Sequence, residues 1–158
     1  MTTRHTITLE RYLKYRLGSE YKVNPIGAML RRSFGARSYT AFWQYWNPVY
    51  GYYLYRFCYR HLRSILPRNS SVIFTFAVCG FVLHDMPFGW LILAIVTGRF
   101  PFPFVTVWFT MIGITVTVSE AAHMDLRGAS FPTRLIVNAI HIVISFIITM
   151  SFMRIIYK

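Results

Sequence analysis

Two stretches of this chain contain no Lys, Arg, Asp or Glu: residues 100 to 119, FPFPFVTVWFTMIGITVTVS, and residues 135 to 153, LIVNAIHIVISFIITMSFM. Each approaches the roughly 20 residues that a helix needs to cross the hydrocarbon core of a bilayer. Residues 69 to 83 and 86 to 98 are also uncharged but shorter, and they meet at His84-Asp85. They read as a tight pair of short spans or as one re-entrant unit. A charged side chain at the bilayer centre costs roughly 2.5 to 3.5 kcal/mol on insertion scales. The pair therefore lies at an interface or is buried for a chemical reason.

The charge balance agrees with this class. Seventeen Lys and Arg stand against five acidic residues, and charged residues make up only 14% of the chain. A soluble domain usually carries about 25%. High apolarity with basic flanks suits an integral membrane protein. A nucleic-acid binder shares the charge but not the long uncharged runs, so no nucleic acid is expected as a partner. Cys58 and Cys79 are too few and too embedded in apolar sequence for a disulfide framework, and no CxxC spacing suggests a metal. The first forty residues lack an apolar run long enough for a signal peptide.

Two regions follow. Residues 1 to 38 are basic, and Leu9, Leu13 and Leu17 recur every four positions, which predicts a short amphipathic helix stopped by Gly18. A second such helix is expected from Asn24-Pro25 to Phe34-Gly35, both lying on an anionic membrane surface. Residues 39 to 158 form the membrane domain. Asn47-Pro48 opens a helix there that ends near Pro67, with Arg56, Arg60 and Arg63 on one face and Leu54, Cys58, Leu62 and Ile65 opposite. The expected fold is all-α, with about four transmembrane or re-entrant helices near 70–84, 88–98, 102–119 and 134–153, preceded by basic interfacial helices. With both termini on one side, fifteen basic residues face two on the other, which places both termini in the cytoplasm of a cytoplasmic (inner) membrane by the positive-inside rule.

Three polar features mark candidate chemistry: Asn47 in FWQYWNP, His84-Asp85, and Glu120, His123 and Asp125 in SEAAHMD. Imidazole titrates near neutral pH and can take a proton from an alcohol. A bland reading stands beside each. Asn47 is a helix cap, like Asn24. His84-Asp85 is an interfacial turn, with Asp85 either orienting the imidazole through a hydrogen bond or, as the favoured reading, sitting in water. The Glu-x-x-His pair belongs to a solvated loop, and a metal site there would need more carboxylates. Asn138 and His141 in the last run serve an interhelical hydrogen bond. The arginine ridge contacts lipid headgroups or receives phosphates.

The segment SYTAFWQYWNPVYGYYLYRF, followed some forty residues later by FAVCGFVLHD, resembles the signature of the membrane-bound O-acyltransferase family. In that family a Trp-rich segment ending in His or Asn precedes a helix, and a lone His follows a Gly-containing apolar run. Trp43, Trp46 and Asn47 match the first element, and Gly80 and His84 match the second. The resemblance covers about residues 38 to 90. It implies an acyltransferase that moves an acyl group from a thioester donor, acyl-coenzyme A or acyl carrier protein, to a hydroxyl of a lipid or glycan. His84 would be the base and Asn47 its orienting or oxyanion partner. Trp43, Trp46, Asp85, Arg56, Arg60 and Arg63 would line the substrate site. No metal or tightly held cofactor is required. Family members are longer, so the resemblance also implies a homo-oligomer or a partner subunit. Two other classes compete: a non-enzymatic membrane scaffold or assembly subunit, and a transport subunit with His84, Asp85, Glu120 and His123 along a proton path.

Overall fold

The computed structural model describes residues 7–87 and 103–156, with Ile95 and Gly98 between them. Every element among the described residues is helical. Helix α1 (Leu9–Leu17) is capped by Thr8 and ended by Gly18, whose φ of 73° suits a residue without Cβ. Helix α2 (Pro25–Phe34) starts on Asn24, whose side chain accepts the Gly27 N–H at 2.8 Å. Both boundaries follow the capping residues in the sequence. Helix α3 (Tyr39–Tyr45) is capped by Ser38, and α4 (Pro48–Leu54) begins after Asn47. A π-helical turn (Tyr55–Tyr59) joins α4 to α5 (Arg60–Ile65). Helix α6 (Arg68–Gly80) runs into a second π-helical turn (Phe81–Asp85). The long helices α7 (Phe104–Ala121) and α8 (Phe131–Ile156) complete the fold.

Helices α7 and α8 are long and apolar enough to cross a membrane. Only 17% of the most apolar stretch of α8 is buried in the protein. Ile136, Ile140, Val143 and Ile147 of α8 point outward, whereas Asn138, Ser145 and Thr149 are buried. The helix is inverted relative to the core helix of a soluble protein, which buries its apolar face. Most of its inward polar groups find partners, although Asn138 Oδ1 has none among the described residues. Asn138 donates to the carbonyls of Phe34 and Ala36 at 3.2 and 3.1 Å, and Trp108 Nε1 donates to Ser145 Oγ at 3.2 Å. Asn138 thus makes the interhelical bond expected of it, while His141 bonds its own Val137 carbonyl and stacks on Tyr39 with ring centroids 4.4 Å apart.

Helices α6 and α7 pack antiparallel. A Cβ added to Gly113 would lie 3.0 Å from Ile73 Cα, and one on Gly80 would lie 2.7 Å from Thr106 Cα, so both glycines allow the two backbones to touch. Arg68 at the start of α6 meets Glu120 at the end of α7, and Asp85 at the far end of α6 meets Thr106. Residues 86 and 103 therefore lie at the same end of the helix pair.

Among the described residues α7 and α8 are the helices of spanning length, and most of the expected span near 88–98 lies outside the described residues. Helix α8 starts beside α2 and α3, where Asn138 reaches Phe34. It then passes the start of α7, where Phe146 meets Phe104 at 5.8 Å. The last residues of α8 therefore lie beyond the start of α7. The core sits where the N-terminal helices meet the bundle: Phe42 is fully buried among Ala36, Tyr39, Ile112 and Val116.

Candidate functional site

Asn24-Pro25 and Asn47-Pro48 each open a helix, yet they differ in conformation. Asn24 caps α2 with its side chain, while Asn47 makes no side-chain cap. Asn47 holds a left-handed backbone, φ 42° and ψ 64°, and its N–H donates to Met29 Sδ at 3.3 Å. Left-handed geometry costs a non-glycine residue roughly 1 to 2 kcal/mol and falls most often to Asn. The cap reading is thereby removed for Asn47. Its side chain is left for a cavity of about 360 Å³ that it lines together with Trp43, Trp46 and His84.

His84 reaches that cavity from the π-helical turn after Gly80. The turn is closed by Met86 N–H donating to the Phe81 carbonyl at 2.9 Å, one residue wider than an α-helical bond. Turns of this kind recur at functional sites because the extra residue redirects a side chain. The imidazole lies against Phe109, with ring centroids 4.7 Å apart, and Trp43 reaches the same Phe109 at 6.2 Å. The two halves of the sequence signature, about forty residues apart, thus meet across one ring of α7. Phe109 carried no signal in the sequence, where it is one of many phenylalanines in an apolar run.

The cavity is elongated. Phe109 and Glu120 both line it and are eleven residues apart on α7, which is about 16 Å of helix. At its polar end Glu120 accepts from Arg68 and from Thr40 Oγ1, both at 2.9 Å, joining α3, α6 and α7. Arg16 lines the cavity as well and donates to Gln44 at 2.7 Å. A second, open groove of about 500 Å³ shares Thr40, Gln44 and Glu120 with the first and adds Arg37, His123, Asp125 and Arg127. The Arg127 backbone N–H, then its guanidinium, hold the Asp125 carboxyl below the usual range. Glu120 and His123 both face this groove, but His123 has left the helix, with φ 51°. Behind the cavity, burial pushes the Tyr39 hydroxyl up to about 12.

Two expectations are corrected. Arg56, Arg60 and Arg63 are exposed and do not line the cavity, because α4 and the turn after it present Leu54, Tyr55 and Tyr59 to it instead. Arg56 donates to Tyr52 Oη at 3.0 Å and Arg63 to the Leu66 carbonyl at 2.7 Å. The guanidinium groups that do line it belong to Arg16 and Arg68. Asp85 neither sits in water nor lines the cavity. It is 8% exposed, and its carboxyl accepts from Val105 N–H at 3.2 Å, Thr106 N–H at 2.7 Å and Thr106 Oγ1 at 2.6 Å. Ile65, on the face opposite Arg56, Arg60 and Arg63, is exposed as well.

The cavity thus combines the His84 imidazole, the amides of Asn47 and Gln44, and a wall of aromatic rings. A polar ion-pair cluster stands at one end. No family model, curated protein or solved structure matches the chain.

Proposed function

We propose that this protein is a membrane-embedded O-acyltransferase of the kind its signature resembles, with His84 as the base and Asn47 as its partner. The observation that carries the reading is that Asn47, freed from capping by a left-handed backbone, lines one cavity with His84, Trp43 and Trp46. The outward apolar faces of α7 and α8 support a place in the bilayer. The end that holds Arg37, Arg68, Arg127 and Arg134 faces the cytoplasm by the positive-inside rule.

In this mechanism the slender acyl-thioester arm of the donor, acyl-coenzyme A or acyl carrier protein, enters past Arg68 and Glu120 and lays its thioester near His84. The imidazole takes the proton of an acceptor hydroxyl as the oxygen attacks the thioester carbonyl. The carbon–sulfur bond then breaks, and the thiolate leaves with the proton returned from His84. The Asn47 amide donates to the carbonyl oxygen as charge develops on it. Aromatic walls exclude water, which would otherwise hydrolyse the thioester.

The test is acyl transfer by the purified protein in detergent, with labelled acyl-coenzyme A or labelled acyl carrier protein as donor. Membrane lipid and glycan extracts serve as acceptors. Transfer by the wild type that falls by roughly 10²- to 10⁴-fold in His84→Ala supports the reading. A wild type inert with both donors, alone and with its membrane fraction restored, overturns it in favour of a packing or assembly role for the same residues.

A further inference from the structure

His84 and Asp85 are adjacent in sequence and diverge in space. The imidazole enters the cavity against Phe109, while the Asp85 carboxyl turns into the first turn of α7. We propose that Asp85 is a positioning residue, which fixes the direction of the His84 imidazole by clamping the π-helical turn to α7. The proposal rests on the reading of His84 as the reacting base, but its physical content can be measured without any reaction.

Among the described residues, no flanking side chain caps the start of α7. The residue at its N-cap position is Pro103, which offers no side-chain acceptor. The first backbone N–H groups of a helix lack intrahelical partners, and the end of the dipole there favours an acidic group. Asp85 supplies the acceptor from twenty residues away: Oδ1 takes Val105 N–H, and Oδ2 takes both Thr106 N–H and Thr106 Oγ1. Its acceptor positions are thus turned to α7 and away from the imidazole.

The same two residues of α7 also meet Gly80. A Cβ there would stand 2.7 Å from Thr106 Cα and 2.9 Å from the Val105 carbonyl oxygen. The turn that carries His84 is therefore held at both ends, by close backbone approach at Gly80 and by three hydrogen bonds at Asp85. An α-helical continuation would rotate residue 84 away from the direction that the wider turn gives it. The clamp and Phe109 belong to one helix, so the imidazole is set relative to a single rigid element.

The experiment compares Asp85→Ala, Asp85→Asn and Thr106→Ala with the wild type. The readouts are the ¹⁵N-imidazole NMR signal of His84 and its rate of carbethoxylation by diethyl pyrocarbonate. In Asp85→Ala the His84 signal is expected to shift and broaden, and its carbethoxylation rate to rise roughly tenfold as the turn opens. Asp85→Asn keeps an acceptor oxygen on the N–H groups and restores most of the wild-type signal. Thr106→Ala, which removes one bond of the three, moves the same readouts less. Where label transfer is measured, Asp85→Ala loses roughly 10²-fold in kcat with little change in KM, the signature of a misdirected base. An unchanged His84 signal and modification rate in Asp85→Ala would overturn the proposal. An inert wild type with a shifted His84 signal in Asp85→Ala would leave the clamp standing and remove the acyltransferase reading.

Discussion

Asn47 is the residue at which conformation and chemistry separate most cleanly. Its left-handed backbone is available to glycine at no steric cost, so Asn47→Gly removes the amide and keeps the turn. The expected outcome is a melting temperature close to wild type with transfer reduced by roughly 10²- to 10³-fold, the usual cost of losing one oxyanion donor. Asn24→Ala should behave in the opposite way. It loses a real cap, costs about 1 kcal/mol in thermal unfolding and leaves transfer intact. Asp125 offers a pH test at the same scale. Its carboxyl is held below the usual range by Arg127, so the stabilisation is full above that range and is lost only as the pH falls through the depressed value. Protection of the Arg127 backbone N–H, measured against its intrinsic exchange rate at each pH, should persist through about pH 5 and fall only on stronger acidification. Of these residues, the sequence marked Asn47 and His84, because two polar side chains interrupt aromatic and apolar runs. It could not mark Phe109 or Arg68, whose roles come from contacts made across tens of residues.

At the scale of elements, the end of α1, both ends of α2 and the existence of α7 and α8 were legible, since local signals set them: a terminating Gly, a capping Asn, a run without charge. The π-helical turn at Phe81–Asp85 was not. Its wide hydrogen bond persists because Asp85 and Gly80 are pinned to α7, and a tertiary clamp leaves no periodic trace. The same holds for the antiparallel pairing of α6 with α7. Two glycines carry that pairing. Gly113→Val would drive Cγ atoms into Ile73 and Phe76 of α6, and the expected loss is about 1 to 3 kcal/mol of unfolding free energy in detergent. A melting curve that is unchanged would mean that the two helices do not depend on close approach there.

At the scale of the whole molecule, polar groups inside and apolar groups outside define the fold of α8 more than any single contact. Asn138→Leu should destabilise the protein by roughly 1 to 3 kcal/mol, because it leaves the Phe34 and Ala36 carbonyls without a donor. The gain in apolarity does not offset that loss.

The central claim is that His84 and Asn47 act together on an acyl thioester. The most direct test is the rate of label transfer from acyl-coenzyme A and acyl carrier protein by wild type, His84→Ala and Asn47→Gly, each shown by its melting curve to be folded. The account predicts transfer by the wild type and loss in both variants at unchanged stability. Transfer that persists in folded His84→Ala would contradict it.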